Sequence, residues 1–80
     1  MTTPYHVKVA PHAANQIKAL NKKYRKQIFK IAEALAINPR PPGAKKIEGM
    51  TGLYSENIHP IRLIYKVEDQ EILLLLITFA

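Results

Sequence analysis

Apolar residues recur at Ala13, Ile17, Leu20, Tyr24, Ile28, Ile31 and Leu35, at steps of four and three. That spacing lays one continuous stripe along a helix of 3.6 residues per turn. Lys18, Lys22, Lys23, Arg25, Lys26 and Lys30 fall between the stripe positions and occupy the other side. A single helix over 12–37 would be about 39 Å long at 1.5 Å per residue. Strands of six to eight residues reach only about 20–27 Å. One rod would overhang any sheet this chain can build, so the stripe predicts a helical hairpin broken near Asn21–Lys23.

The stripe ends at "NPRPPG" (38–43), where three prolines and a glycine stop a helix and fix an exposed connection. "YHVKV" (5–9) alternates and reads as a first strand, and Pro11 suits the first turn of the helix after it. "AKKIEG" reads as extended. Further strands are expected near 53–58, 61–67 and 71–78, with "VEDQE" as the turn between the last two. In 61–67, Ile61, Leu63, Tyr65 and Val67 share one face, and Arg62, Ile64 and Lys66 the other. The helices must cover one face of the sheet. Arg62 is therefore expected on the face left open, while Tyr54, Tyr65 and Tyr24 turn toward the core.

The chain of 80 residues makes one domain, 1–80, with a small core. It has no cysteine, which excludes disulfides and thiolate metal sites and agrees with a cytoplasmic location. The start, "MTTPYHVKVAPH", has no signal-peptide pattern, and the longest apolar run, "ILLLLI" (72–77), is far short of the roughly 20 residues that span a bilayer. No membrane association is expected. The net charge is +6, and residues 1–46 hold ten of the twelve Lys/Arg but one of the six acids. A basic half of this kind attracts a polyanion or an acidic protein, although any one lysine also fits a solvated helix face.

Among chemistry-bearing residues, Arg62 matches the forked geometry that binds phosphate. Its other reading is an ion pair with Glu56 or another strand carboxylate. His59, in a turn, is a candidate acid–base group, since imidazole titrates near neutrality. A histidine before proline is also commonly incidental. Lys45, Lys46 and Arg40 are candidate phosphate contacts or simply a solvated connector. His6 and His12 carry no spacing that suggests a site. The three histidines lack metal-ligand spacing, and neither metal nor cofactor is expected.

"LNKKYRKQI" (20–28), "NPRPPGAKKIEGM" (38–50), "LY" (53–54) and above all "IRLIYKV" (61–67), in this order, resemble the RelE/ParE superfamily of small bacterial toxins. The resemblance covers nearly the whole chain. It implies an α+β fold, β-α-α-β-β-β, with an antiparallel sheet packed on a helical hairpin. RelE-like members cut mRNA in the ribosomal A site; ParE-like members poison DNA gyrase. Both are held inactive by an antitoxin. The resemblance implies a cognate antitoxin, a toxin–antitoxin hetero-oligomer, and Arg62 as the cleft cation. RelE-like nucleases usually carry Lys or Arg just after the "LY" tyrosine and again two positions on, where this sequence has Ser55 and Asn57. Their last strand usually ends in an arginine, followed by a tail with a tyrosine, whereas residues 75–80 read "LLITFA". His59-Pro60 replaces a common Gly-Asp turn. The expectation is a type II toxin acting as a metal-independent, ribosome-dependent mRNA endonuclease, attenuated by these departures. Its alternative is a non-enzymatic ParE-like gyrase inhibitor or an antitoxin-binding module.

Overall fold

The computed structural model describes residues 4–79. Strand β1 (His6–Val9) leads into helices α1 (Pro11–Ala19) and α2 (Lys22–Ile37). Then follow β2 (Lys45–Lys46), β3 (Leu53–Ile58), β4 (Ile61–Glu68) and β5 (Glu71–Phe79). Pro11 opens α1, where its missing N–H would have had no partner. The break in the apolar stripe falls at Leu20–Asn21, both of which are extended. Asn21 then starts the second helix, its side chain accepting the Tyr24 N–H at 3.2 Å. No helix is long and apolar enough to cross a membrane among the described residues.

The five strands form one sheet in the order β1-β5-β4-β3-β2. Neighbours pair antiparallel, with one exception: β1 runs parallel to β5. The sheet is therefore mixed rather than wholly antiparallel, and it gains the short β2 from the segment read only as extended. Alternation shows which residues form a strand and which face they present. It carries no information about partner or direction. The helical hairpin, β2, β3 and β4 all lie between β1 and its partner β5 in sequence.

The helices cover one face. Ile17, Ile28, Ile31 and Leu35 pack on Ile61, Leu63, Tyr65, Val67, Ile72, Leu74 and Ile77. On β5 the buried positions step by two and then by three, because the register shifts between Ile64 and Tyr65. Ile64 pairs with Leu76 and Tyr65 with Leu74, so Leu75 is the extra residue. This bulge turns Leu76 to the open face and Ile77 to the core.

Two polar contacts close the ends of this core. Beyond Leu74, β5 outlasts β1, and its edge would be bare beside α1. The Gln16 amide fills the gap: it donates to the Ile77 carbonyl at 2.7 Å and accepts the Ile77 N–H at 2.9 Å. At the other end Tyr65, fully buried, donates its hydroxyl to the Pro39 carbonyl at 2.7 Å. Tyr54 stacks on Tyr65 with ring centroids 5.9 Å apart. Arg40 donates to the Tyr54 hydroxyl at 2.9 Å and lies over its ring. The proline-rich connection is thereby fastened to the sheet by its own carbonyl and its own cation.

Two measurements check these closures. Gln16→Ala strands two backbone groups in a partly buried place and is expected to cost about 1–3 kcal/mol in urea unfolding. Burial first, then the Glu56 and Tyr54 charges, push the Tyr65 hydroxyl up from 10.0 to about 12. The folded protein thus holds that proton more tightly than the unfolded chain. The resulting stability is fully present below about pH 10 and is lost as pH rises toward about 12. Stability measured across that window should fall in the wild type, and Tyr65→Phe should lack this component of the fall.

Candidate functional site

The face of the sheet away from the helices is uncovered among the described residues. At one end, strand pairing sets Asn57, Arg62 and Thr78 in a row across β3, β4 and β5. The next row is Ser55, Ile64 and Leu76, and Lys45 of β2 stands opposite Ser55. The open face is thus a polar row beside an apolar strip.

Arg62 is exposed, and its Nε donates to the Asn57 Oδ1 at 2.9 Å. That bond fixes one side of the guanidinium and leaves the two terminal nitrogens free to fork onto an anion. Glu56 is not its partner. Glu56 pairs with Leu63, on the helix-covered face, where its carboxylate is buried beside Gly43. Other cations of the open face are already engaged: Lys8 with Glu71 at 2.6 Å and Lys66 with Glu68 at 3.1 Å. Lys8 holds the Glu71 carboxyl below its ordinary range, chiefly through their hydrogen bond. Arg62 and Lys45 remain on this face without an ion pair among the described residues.

The residues singled out in sequence do not all converge. Arg62 and Lys45 share the open face. Lys46 stands opposite Tyr54 and so belongs to the helix side. Arg40 lies on that side too, spent on Tyr54, and this hydrogen bond raises its pKa above the usual arginine value. His59 is exposed in the β3–β4 turn, three residues before Arg62. The Ile58 carbonyl beside it accepts from the Gln27 amide at 3.3 Å, which ties the turn to α2. Asn57 is the residue that sequence reasoning passed over. It counted there only as a missing cation, but a two-residue turn at His59-Pro60 places it directly across from Arg62.

Chemically, the row offers one oriented guanidinium with an amide and a hydroxyl beside it. This can hold a phosphate and stabilise charge that builds on its oxygens. Among the described residues no three His, Asp or Glu side chains gather in metal-binding geometry.

The family described as "ParE toxin of type II toxin-antitoxin system, parDE" matches residues 7–78 in sequence. No functionally curated protein matches the chain in sequence. Among solved structures, the archaeal RelE–RelB complex from Pyrococcus horikoshii OT3 is 25% identical, with a TM-score of 0.83 over 98% of this chain and 96% of that one. The toxin–antitoxin complex RelBE2 from Mycobacterium tuberculosis is 20% identical, with a TM-score of 0.84 over 96% and 99%. The isolated E. coli RelE toxin is 22% identical, with a TM-score of 0.83 over 95% and 84%. At such identities the structural likeness speaks for the fold.

The Arg62–Asn57 clamp can be checked directly. Asn57→Ala should speed solvent exchange of the Arg62 Nε proton in side-chain NMR. Because the pair is exposed, unfolding stability should change by less than about 1 kcal/mol.

Proposed function

The chain belongs to the ParE toxin family of type II toxin–antitoxin systems, and on that premise we propose that it is a ribosome-dependent mRNA endonuclease of the RelE kind. The observation that carries this reading is Arg62: an exposed guanidinium on the open sheet face, held through Nε by Asn57 and without an ion pair among the described residues.

Metal-free RNA cleavage needs little more from the protein than charge and position. The 2′-hydroxyl attacks the adjacent phosphorus, the bond to the 5′-oxygen breaks, and a 2′,3′-cyclic phosphate and a 5′-hydroxyl result. Arg62 binds the phosphoryl oxygens, whose negative charge grows in the transition state. Lys45, on the same face, holds a neighbouring phosphate. His59 takes the proton from the 2′-hydroxyl, and the leaving 5′-oxygen is protonated in return. Lys46 and Arg40 contact nucleic acid only outside this row, on the helix side. With Ser55 and Asn57 in place of two cations, the row supplies a single guanidinium. The ribosome, by fixing the mRNA, supplies the positioning that this sparse site lacks. In this reading the toxin works in the cytoplasm and is kept silent by a cognate antitoxin in a hetero-oligomer. The antitoxin partner is supported by the RelE–RelB complexes that share the fold.

Two observations favour a second reading. The sequence match is to the family named for ParE, and Ser55 and Asn57 leave the face poor in cations. A ParE-like toxin would use the apolar strip around Ile64 and Leu76 to dock on gyrase and would cut nothing.

Induced expression with primer extension on a reporter mRNA separates the two. Codon-positioned cuts are expected, and Arg62→Ala should slow them about 10²–10³-fold, as removal of one oriented transition-state donor does. Growth arrest with intact mRNA and damaged DNA would instead assign the chain to gyrase.

A further inference from the structure

The open face of the sheet is ordered from end to end, not only around Arg62. Beyond the rows of Arg62 and Ile64, strand pairing sets Leu53, Lys66 and Leu73 in a third row, with Lys8 at its β1 end. Glu68 and Glu71 form a fourth, beside the turn that holds Asp69. Lys66 and Lys8 each hold one of these acids, and Asp69 has no ion pair among the described residues. Three acids against two lysines leave this end negative. The face therefore runs from a cation, through an apolar middle of half-buried Ile64, Leu73 and Leu76, to an acidic end.

Such a face is complementary to itself. A two-fold axis running across the strands, between the second and third rows, sets the first row of each copy on the fourth row of the other. Arg62 then stands opposite Glu68, Thr78 opposite Glu71, and Leu76 opposite Leu73. Ile64 meets Lys66, whose stem covers it while its ammonium stays at Glu68. Stacked sheets lie about 10 Å apart and within about 30° of each other, a gap that an arginine and a glutamate can bridge.

We propose that two copies of this chain associate through their open faces, antiparallel, with the Ile64, Leu73 and Leu76 strips in contact and Arg62 of each copy on the Glu68 carboxylate of the other. The dimer closes both phosphate sites, and dilution opens them. That closure silences the chain rests on the function proposed above; the dimer itself does not. A second copy is favoured because its acids meet Arg62 while its lysine-rich helices stay on the far outer surface. Two sheets then separate the two cation clusters by more than the screening length of about 8–10 Å. A nucleic acid laid along the whole face would meet Glu68, Asp69 and Glu71, which repel it, so it engages the Arg62 end alone. Four strands at about 4.8 Å and six residues at about 3.4 Å make a face of about 19 by 20 Å, roughly 1,000 Å² buried in total once side-chain relief is counted. An area of that size gives a weak dimer that exchanges readily with monomer.

Sedimentation equilibrium and NMR on the full chain test this. A monomer–dimer equilibrium is expected below about 1 mM, and the Arg62 Nε proton and the Ile64, Leu73 and Leu76 methyl signals should shift with concentration. Leu76→Lys should weaken association at least about tenfold. Arg62→Glu and Glu68→Arg should each do the same, and the two together should restore it to within about threefold of the wild type, because the swapped charges meet again. Both charged positions are exposed, and thermal unfolding verifies that every variant is folded. Several results would overturn the proposal. One is a chain that stays monomeric to about 1 mM while a short oligouridylate moves the same signals, which would give the face to nucleic acid alone. A second is a double swap that dimerises no better than either single variant. A third is a concentration-dependent shift confined to the other apolar surface, the groove of about 380 Å³ along the open edge of β1, between Val7 and Val9 and Phe29 of α2. None of these measurements reads cleavage, so a chain that cuts no mRNA leaves the dimer standing, and a monomer leaves the endonuclease reading standing.

Discussion

The period of two along β4 is the constraint on which the molecule depends. Ile61, Leu63, Tyr65 and Val67 are buried on one face, and Arg62 stands exposed on the other. β4 lies at the centre of the sheet order, so its register positions both neighbours. A slip of one residue would put Arg62 and Lys66 under the helices and Ile61, Leu63 and Tyr65 into water. Burying an unpaired guanidinium there would cost several kcal/mol. The core thus selects the register, and the register delivers Arg62 to the open face opposite Asn57. Core and candidate site are two consequences of one alternation.

The rest of the fold answers the length of that sheet. The apolar stripe on the helices is continuous in sequence, yet the chain turns at Leu20–Asn21 so that both halves lie over strands. The turn leaves two ragged ends, and each is closed by one side chain. Gln16 stands in for a missing strand at Ile77, and Tyr65 reaches out of the core to the Pro39 carbonyl. Prolines suit that last place because the connection needs acceptors and a fixed path, not donors.

Most of the architecture was legible in sequence because it follows from period and punctuation. The stripe, the break, the proline-rich stop and the strand faces are all local patterns. The parallel partnership of β1 and the bulge at Leu75 were not, since both concern which strand meets which. The site was legible only in part for the same reason. Arg62 could be placed on the open face from alternation alone. Whether Lys45 or Lys46 shares that face depends on the β2–β3 register, and the role of Asn57 depends on a turn of two residues. Arg40 looked available because a cation among prolines has no visible partner in sequence; in space it meets Tyr54.

The layered arrangement also separates two tasks. Arg62 faces away from the helices on β4, whereas the open edge and its groove lie on the helix side at β1, two strands away. A ligand on one surface does not cover the other, because the sheet stands between them. The apolar groove and the oriented guanidinium are thereby kept on separate surfaces. A phosphate site gains from being cationic and accessible; a protein-docking groove gains from being apolar and shielded. A sheet covered by helices on one face only offers both surfaces in 80 residues.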